Sequence, residues 1–85
     1  MLKRPPQDLV NKMVAEEAAI VGIDPGFVLH PVFRRKCRKA VVVRARVSLK
    51  LLDTGKYSPA GIGSCLKLDR TAVLHYNRTR ERWLA

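Results

Sequence analysis

Residues 68–75 read LDRTAVLH. A carboxylate (Asp69), a guanidinium (Arg70), a hydroxyl (Thr71) and an imidazole (His75) thus fall within about two turns of a helix. Such a set suits recognition of a nucleic acid. A helix start offers backbone N–H groups and a positive dipole end to a phosphate. Short polar side chains near that end reach base edges, and an arginine can donate two bonds to one guanine. The Thr71 methyl group can also touch the methyl of a thymine. Catalysis has no comparable support. Ser58 and Ser64 lack an evident base and orienting acid. Cys37, Cys65, His30 and His75 lack the paired close spacing of a zinc site. Gly55-Lys56-Tyr57-Ser58 fails as a phosphate-binding loop because Tyr57 interrupts the required Gly-Lys-Ser step. The reading is therefore of a protein that is not an enzyme and needs no cofactor or metal.

These residues need a framework that holds them outward. Ser58-Pro59 predicts a helix start, with Ser58 as N-cap, and Ile62 and Leu66 give that helix an apolar stripe. Gly61 and Gly63 cost it about 1 kcal/mol each against alanine unless a neighbouring element must approach closely there. Lys67 and Leu68 form a tight turn, and Asp69 caps a last helix from about Arg70 to Arg82. Val73, Leu74, Trp83 and Leu84 are expected to face inward, and Thr71, His75, Arg78 and Arg82 outward. A short helix, a turn and a longer helix with such a face make a helix-turn-helix pattern.

Upstream, Asp8 is expected to cap a helix ending at Val21, with Gly22 as its stop. Leu9, Val10, Met13, Val14, Ala18 and Val21 fall on its apolar side, and Asn11, Lys12, Glu16 and Glu17 largely occupy the rest. Asp24-Pro25 opens a short helix that Pro31 ends near His30. FRRKCRKA, residues 33–40, carries five basic residues and is read as a loop. In VVVRARVSLKLL, residues 41–52, apolar and polar residues alternate as in a strand. Yet Ala40, Val43, Val47 and Leu51 also line one helical face. A helix is preferred because no partner strand is visible and a lone strand leaves its backbone groups unpaired. The fold class is thus all-α: a small helical domain of five or so helices over residues 8–85, after a flexible basic N-terminus at 1–7.

Composition narrows the partners. Seventeen Lys and Arg against seven Asp and Glu give a net charge of +10, which favours a polyanion. Aromatic residues are only 6% of the chain, too few for the stacking platform of a single-strand reader, so duplex is favoured over RNA. No run approaches the roughly 20 apolar residues of a membrane span, and no secretory leader is visible. A cytoplasmic, nucleoid-associated protein with both cysteines reduced is expected.

The chain resembles the C-terminal duplex-DNA-binding domain of the bacterial replication initiator DnaA. That family carries a signature D-H-T-T-V-L-H, matched here by DRTAVLH at 69–75. The family's upstream Ser, Ile-Gly pair and apolar residue correspond to Ser58, Ile62-Gly63 and Leu66. Its basic loop leading to an Arg-x-Arg step corresponds to RRKCRK, 34–39, and Arg44-Ala45-Arg46. KMVAEE, 12–17, resembles its opening helix. The resemblance implies an all-helical domain whose signature helix enters the major groove, placing Asp69, Arg70, Thr71 and Ala72 at the bases. It implies Lys36 and Arg38 for the neighbouring minor groove and Arg46 for a phosphate or base. The chain departs from the family at Arg70, where the signature has His, and at Ala72, where it has Thr. The turn before Asp69 is one residue shorter and lacks a glycine pair, and the loop-to-Arg-x-Arg spacing is about two residues longer. Duplex binding carries over better than the target sequence does.

The expected DNA-binding residues are therefore Lys36, Arg38, Lys39, Arg44, Arg46, Ser58, Asp69, Arg70, Thr71, Ala72, His75 and Arg78. The expected activity is that of a replication accessory factor or transcription regulator. The alternative is an adaptor or antagonist docking on a replication protein, a helicase or an initiator, through the 8–29 face. An exposed patch of Leu9, Val10, Phe27 or Trp83 would mark it.

Overall fold

The structure, a computed structural model, describes residues 2–29 and 38–84. Six helices follow one another: α1 (Gln7–Val21), α2 (Pro25–Leu29), α3 (Arg38–Asp53), α4 (Pro59–Leu66), α5 (Arg70–Arg78) and α6 (Arg80–Leu84). The domain is all-α.

Local chemistry explains most boundaries. Gly22 ends α1 in the left-handed conformation at φ 81°, and its N–H and that of Ile23 both donate to the Ala18 carbonyl. The Asp24 carboxylate accepts from the Gly26 N–H at 2.8 Å and so opens α2. Ser58 Oγ accepts from the Gly61 N–H at 3.0 Å, which caps α4, with Pro59 at its first position. The start of α1 differs from expectation. Pro6 is the residue before the helix, and Asp8 sits within the first turn, where a carboxylate still favours the helix dipole.

Helix α3 is the hub, packed against all five other helices. Ala40, Val43, Val47 and Leu51 join the main core with Val10, Val14 and Ala18 of α1, Ile62 and Leu66 of α4, and Val73 of α5. Ala45 and Leu49 point the other way, into a second cluster with Tyr76 and Trp83. Tyr76 and Trp83 meet edge to face with centroids 5.4 Å apart. Burial on both sides is why 41–52 alternates like a strand while coiling as a helix.

Three further expectations are corrected. Residues 2–6 do not fray: the Lys3 N–H donates to the Lys56 carbonyl and the Ser58 N–H to the Lys3 carbonyl, each at 3.1 Å, and Pro5 is buried. Glu17, expected on the polar face, is only 2% exposed; it pairs with Lys50 and lies 3.7 Å from the Arg46 guanidinium. The last helix is not continuous to Arg82. It breaks at Thr79, whose N–H and hydroxyl both donate to the His75 carbonyl while its Oγ1 accepts from the Trp83 indole N–H. The break lets Trp83 turn back onto α3, and the Arg80–Asp53 pair at 2.9 Å fixes the same corner.

Candidate nucleic-acid interface

The junction of α4 and α5 is built for close approach. Lys67 ends α4 in the left-handed conformation at φ 58°. The Leu68 N–H then donates to the Gly63 carbonyl at 2.7 Å. A Cβ on Gly63 would lie 2.6 Å from the Leu68 carbonyl oxygen, so the chain can turn this tightly over α4 only because position 63 has no side chain. Gly61 is explained likewise: its Cβ would meet the Arg4 Cα at 2.7 Å. Both glycines are therefore sites of close approach, by the N-terminal segment at 61 and by the α5 entry at 63.

Asp69, extended at φ −75°, precedes α5, and its carbonyl accepts from the Ala72 and Val73 N–H groups. The Asp69 carboxylate makes no capping bond and is exposed. Val73 and Tyr76 turn inward; Arg70, Thr71, His75 and Arg78 are exposed. Leu74 and Leu84, expected inside, are 37% and 45% exposed. Tyr76 takes the core place instead. For Leu74 the signal was available: three residues after Thr71 and four before Arg78, it shares their face. No acidic residue falls within α5.

Ala72 is half-buried and lines a groove of about 320 Å³ with Val41, Arg44, Lys67, Leu68, Asp69 and Tyr76. The groove joins the start of α5 to the early part of α3. Arg38 and Lys39, read as loop residues, are exposed in the first turn of α3, and Arg38 lies one turn before Val41 on its face. Lys36 lies outside the described residues.

The two central arginines do other work. Arg44 is 3% exposed, and its Nη1 donates to the Val28 carbonyl at 3.2 Å. It forms part of the groove floor and is not presented to a phosphate. Arg46 is half-buried between α1 and α6; its Nε donates to the Trp83 carbonyl at 2.9 Å and its Nη1 faces Glu17. Ser58 spends its hydroxyl on the cap of α4. Among the twelve expected contact residues, the structure thus gathers Asp69, Arg70, Thr71, His75 and Arg78 on one exposed helix, with Ala72 half-buried beside them. Arg38 and Lys39 are exposed in the first turn of α3, with Arg38 one turn before the groove residue Val41. It draws Arg44, Arg46 and Ser58 into the framework. Lys67 and Leu74 were missed.

Among the described residues, no helix is long and apolar enough to cross a membrane, and no three His, Cys, Asp or Glu side chains gather to hold a metal. No family model, curated protein or solved structure matches the chain.

Proposed function

We propose that this domain binds duplex DNA, with α5 lying in the major groove and α4 across its edge. The observation that carries the reading is the outer side of α5: Arg70, Thr71, Leu74, His75 and Arg78 are all exposed, and no acid lies within the helix. The net charge of +10 and the resemblance of 58–75 to the DnaA signature support it. Arg70 is the guanine reader and Thr71 a thymine-methyl contact. The exposed Asp69 carboxylate can accept from a cytosine amine, and Ala72 makes an apolar contact at the groove edge. His75 and Arg78, farther along, hold phosphates. Arg38 and Lys39 serve the neighbouring backbone or minor groove, together with Lys36 from the preceding stretch. The biological role on this reading is replication accessory factor or transcription regulator at the nucleoid.

The adaptor alternative loses two of its four markers, since Val10 is fully buried and Trp83 is 8% exposed. Leu9 and Phe27 remain exposed.

Titration of labelled random and selected duplexes at several salt concentrations tests the proposal. About six phosphate contacts give a slope of log K against log salt near −5. Arg70→Ala and Thr71→Ala are each expected to cost about 1–3 kcal/mol on the selected site and to relax specificity there. Undetectable binding to both duplex pools at low salt would refute the reading. Equal loss on every sequence in Arg70→Ala would remove Arg70 as a reader.

A further inference from the structure

The N-terminal segment and the turn before α4 form a second cationic site, away from α5. Two backbone hydrogen bonds hold Lys3 beside Lys56. Arg4 is anchored next to them: its Nε donates to the buried Cys65 sulfur at 3.3 Å, and that thiol donates to the Pro5 carbonyl at 3.3 Å. Lys3, Arg4 and Lys56 line a trough of about 600 Å³ together with Leu2, Pro6 and Tyr57. No carboxylate lines it. Neither the Lys3 nor the Lys56 ammonium has an ion pair or hydrogen bond among the described residues. Holding like charges on neighbouring chain segments costs stability. That cost is offset when a polyanion occupies the site.

The place of the trough relative to α5 follows from the two glycines. Position 61 faces Arg4 and position 63 faces the Leu68 carbonyl. Two residues along a helix are about 200° apart around its axis. The N-terminal strap and the α5 entry therefore flank α4 on opposite sides. Ala60, Ser64 and Lys67, all exposed and none acidic, run between them. A nucleic-acid backbone crossing the outside of α4 would meet α5 on one flank and the strap on the other.

Resting on the duplex-binding reading, we infer that Lys3, Arg4 and Lys56 form a second phosphate-binding site for the backbone of the same duplex. This site adds affinity and no sequence preference, because phosphates are the same at every step. It also gives the strap a reason to be pinned, since a frayed segment would lose chain entropy on binding.

The test uses the full chain, with Lys3→Ala/Lys56→Ala against wild type. Both side chains are exposed and the backbone bonds that hold the strap survive the changes. Affinity for a random duplex is measured at about 50 and 200 mM salt. Loss of two contacts lowers the magnitude of the slope by about 1.8, so the affinity ratio between the two salt concentrations shrinks about twelvefold. Lys3→Arg/Lys56→Arg should restore the slope, which a merely structural defect would not allow. An unchanged slope in the double alanine variant, with wild type binding steeply, overturns this inference and leaves the α5 reading standing. Absence of duplex binding by wild type overturns both. Vesicles containing phosphatidylserine form the control arm. Vesicle binding lost in the alanine variant while its DNA slope stays at the wild-type value would assign the site to lipid headgroups and overturn the proposal.

Discussion

Gly63→Ala sets two opposed effects against each other and tests how α5 is held. Alanine is favoured over glycine inside a helix by about 0.8–1.0 kcal/mol, so propensity alone predicts stabilisation. The new Cβ, however, would lie 2.6 Å from the Leu68 carbonyl oxygen and 3.3 Å from Asp69 backbone atoms. Backbone cannot rotate aside as a flexible side chain can. The turn must lift by several tenths of an ångström, against the 2.7 Å bond from the Leu68 N–H to the Gly63 carbonyl. Overpacking of this kind costs about 1–3 kcal/mol, or more where the neighbours are unyielding. The rigid contact puts this case at the upper end, leaving a net loss of about 1–2 kcal/mol and a fall in Tm of about 5–15 °C. Thermal unfolding followed by circular dichroism measures this net change. Duplex titration on the folded variant reads the displacement of the turn: Arg70 and Thr71 ride on the displaced entry, so selected-site affinity should fall more than random-duplex affinity. A Tm equal to or above wild type would mean that the α4–α5 junction is looser than described, and the geometric account of α5 would fail with it.

Two further substitutions test the packing around α3. Ser48 is fully buried and its Oγ has no hydrogen-bond partner among the described residues, so Ser48→Ala should raise stability by about 0.5–1.5 kcal/mol. A lower Tm would show that the hydroxyl is satisfied and structural. Arg44→Ala removes a charged donor from the Val28 carbonyl and should cost about 1.5–3 kcal/mol of stability. It should leave the salt slope of DNA binding unchanged, whereas a slope smaller by about one unit with unaltered Tm would restore Arg44 as a phosphate contact.

Much of the helical layout was readable because caps and periodicity agreed. Gly22, Asp24-Pro25 and Ser58-Pro59 mark boundaries through their own backbone chemistry, and the structure uses each of them. The stretch 41–52 was ambiguous for a physical reason. A helix buried on one side shows a single stripe, but α3 buries Val43 and Val47 in one cluster and Ala45 and Leu49 in another. Two stripes on opposite sides mimic alternation. The break at Thr79 was hidden because Thr is unremarkable in a helix by propensity; only the indole of Trp83, bonding back to Thr79, requires it. The strap was hidden because its bonds are made by backbone atoms of Lys3 to Lys56 and Ser58, which no side-chain pattern announces. On the candidate site, the outward set on α5 followed from spacing. The fate of Arg44 and Arg46 did not, since the sign of a side chain does not say whether its partner is a phosphate or a carbonyl.

That last distinction bears on how the charge is used. The helices α2 and α6 have five residues each, too few to satisfy their own last carbonyls or to be stable alone. Arg44 donates to a carbonyl of α2 and Arg46 to one of α6. Two residues apart on α3, they point about 200° from each other and so reach helices on different sides of the hub. Each supplies a donor that the short helix lacks. Lys50 and Arg80 are likewise held by Glu17 and Asp53. These four cations build the framework, and their charge is partly answered within it. The cationic side chains of α5, those at the start of α3 and Lys3 and Lys56 of the strap have no carboxylate or carbonyl partner among the described residues, and Arg4 bonds only the Cys65 sulfur. A net charge of +10 therefore overstates the number of contacts with a polyanion, and a measured slope near −5 would be more informative than the charge itself. A slope near −9 would mean about ten phosphate contacts, more than the Lys and Arg of α5, the start of α3 and the strap supply, and would bring in further exposed cations such as Lys12, Lys67 or Arg82.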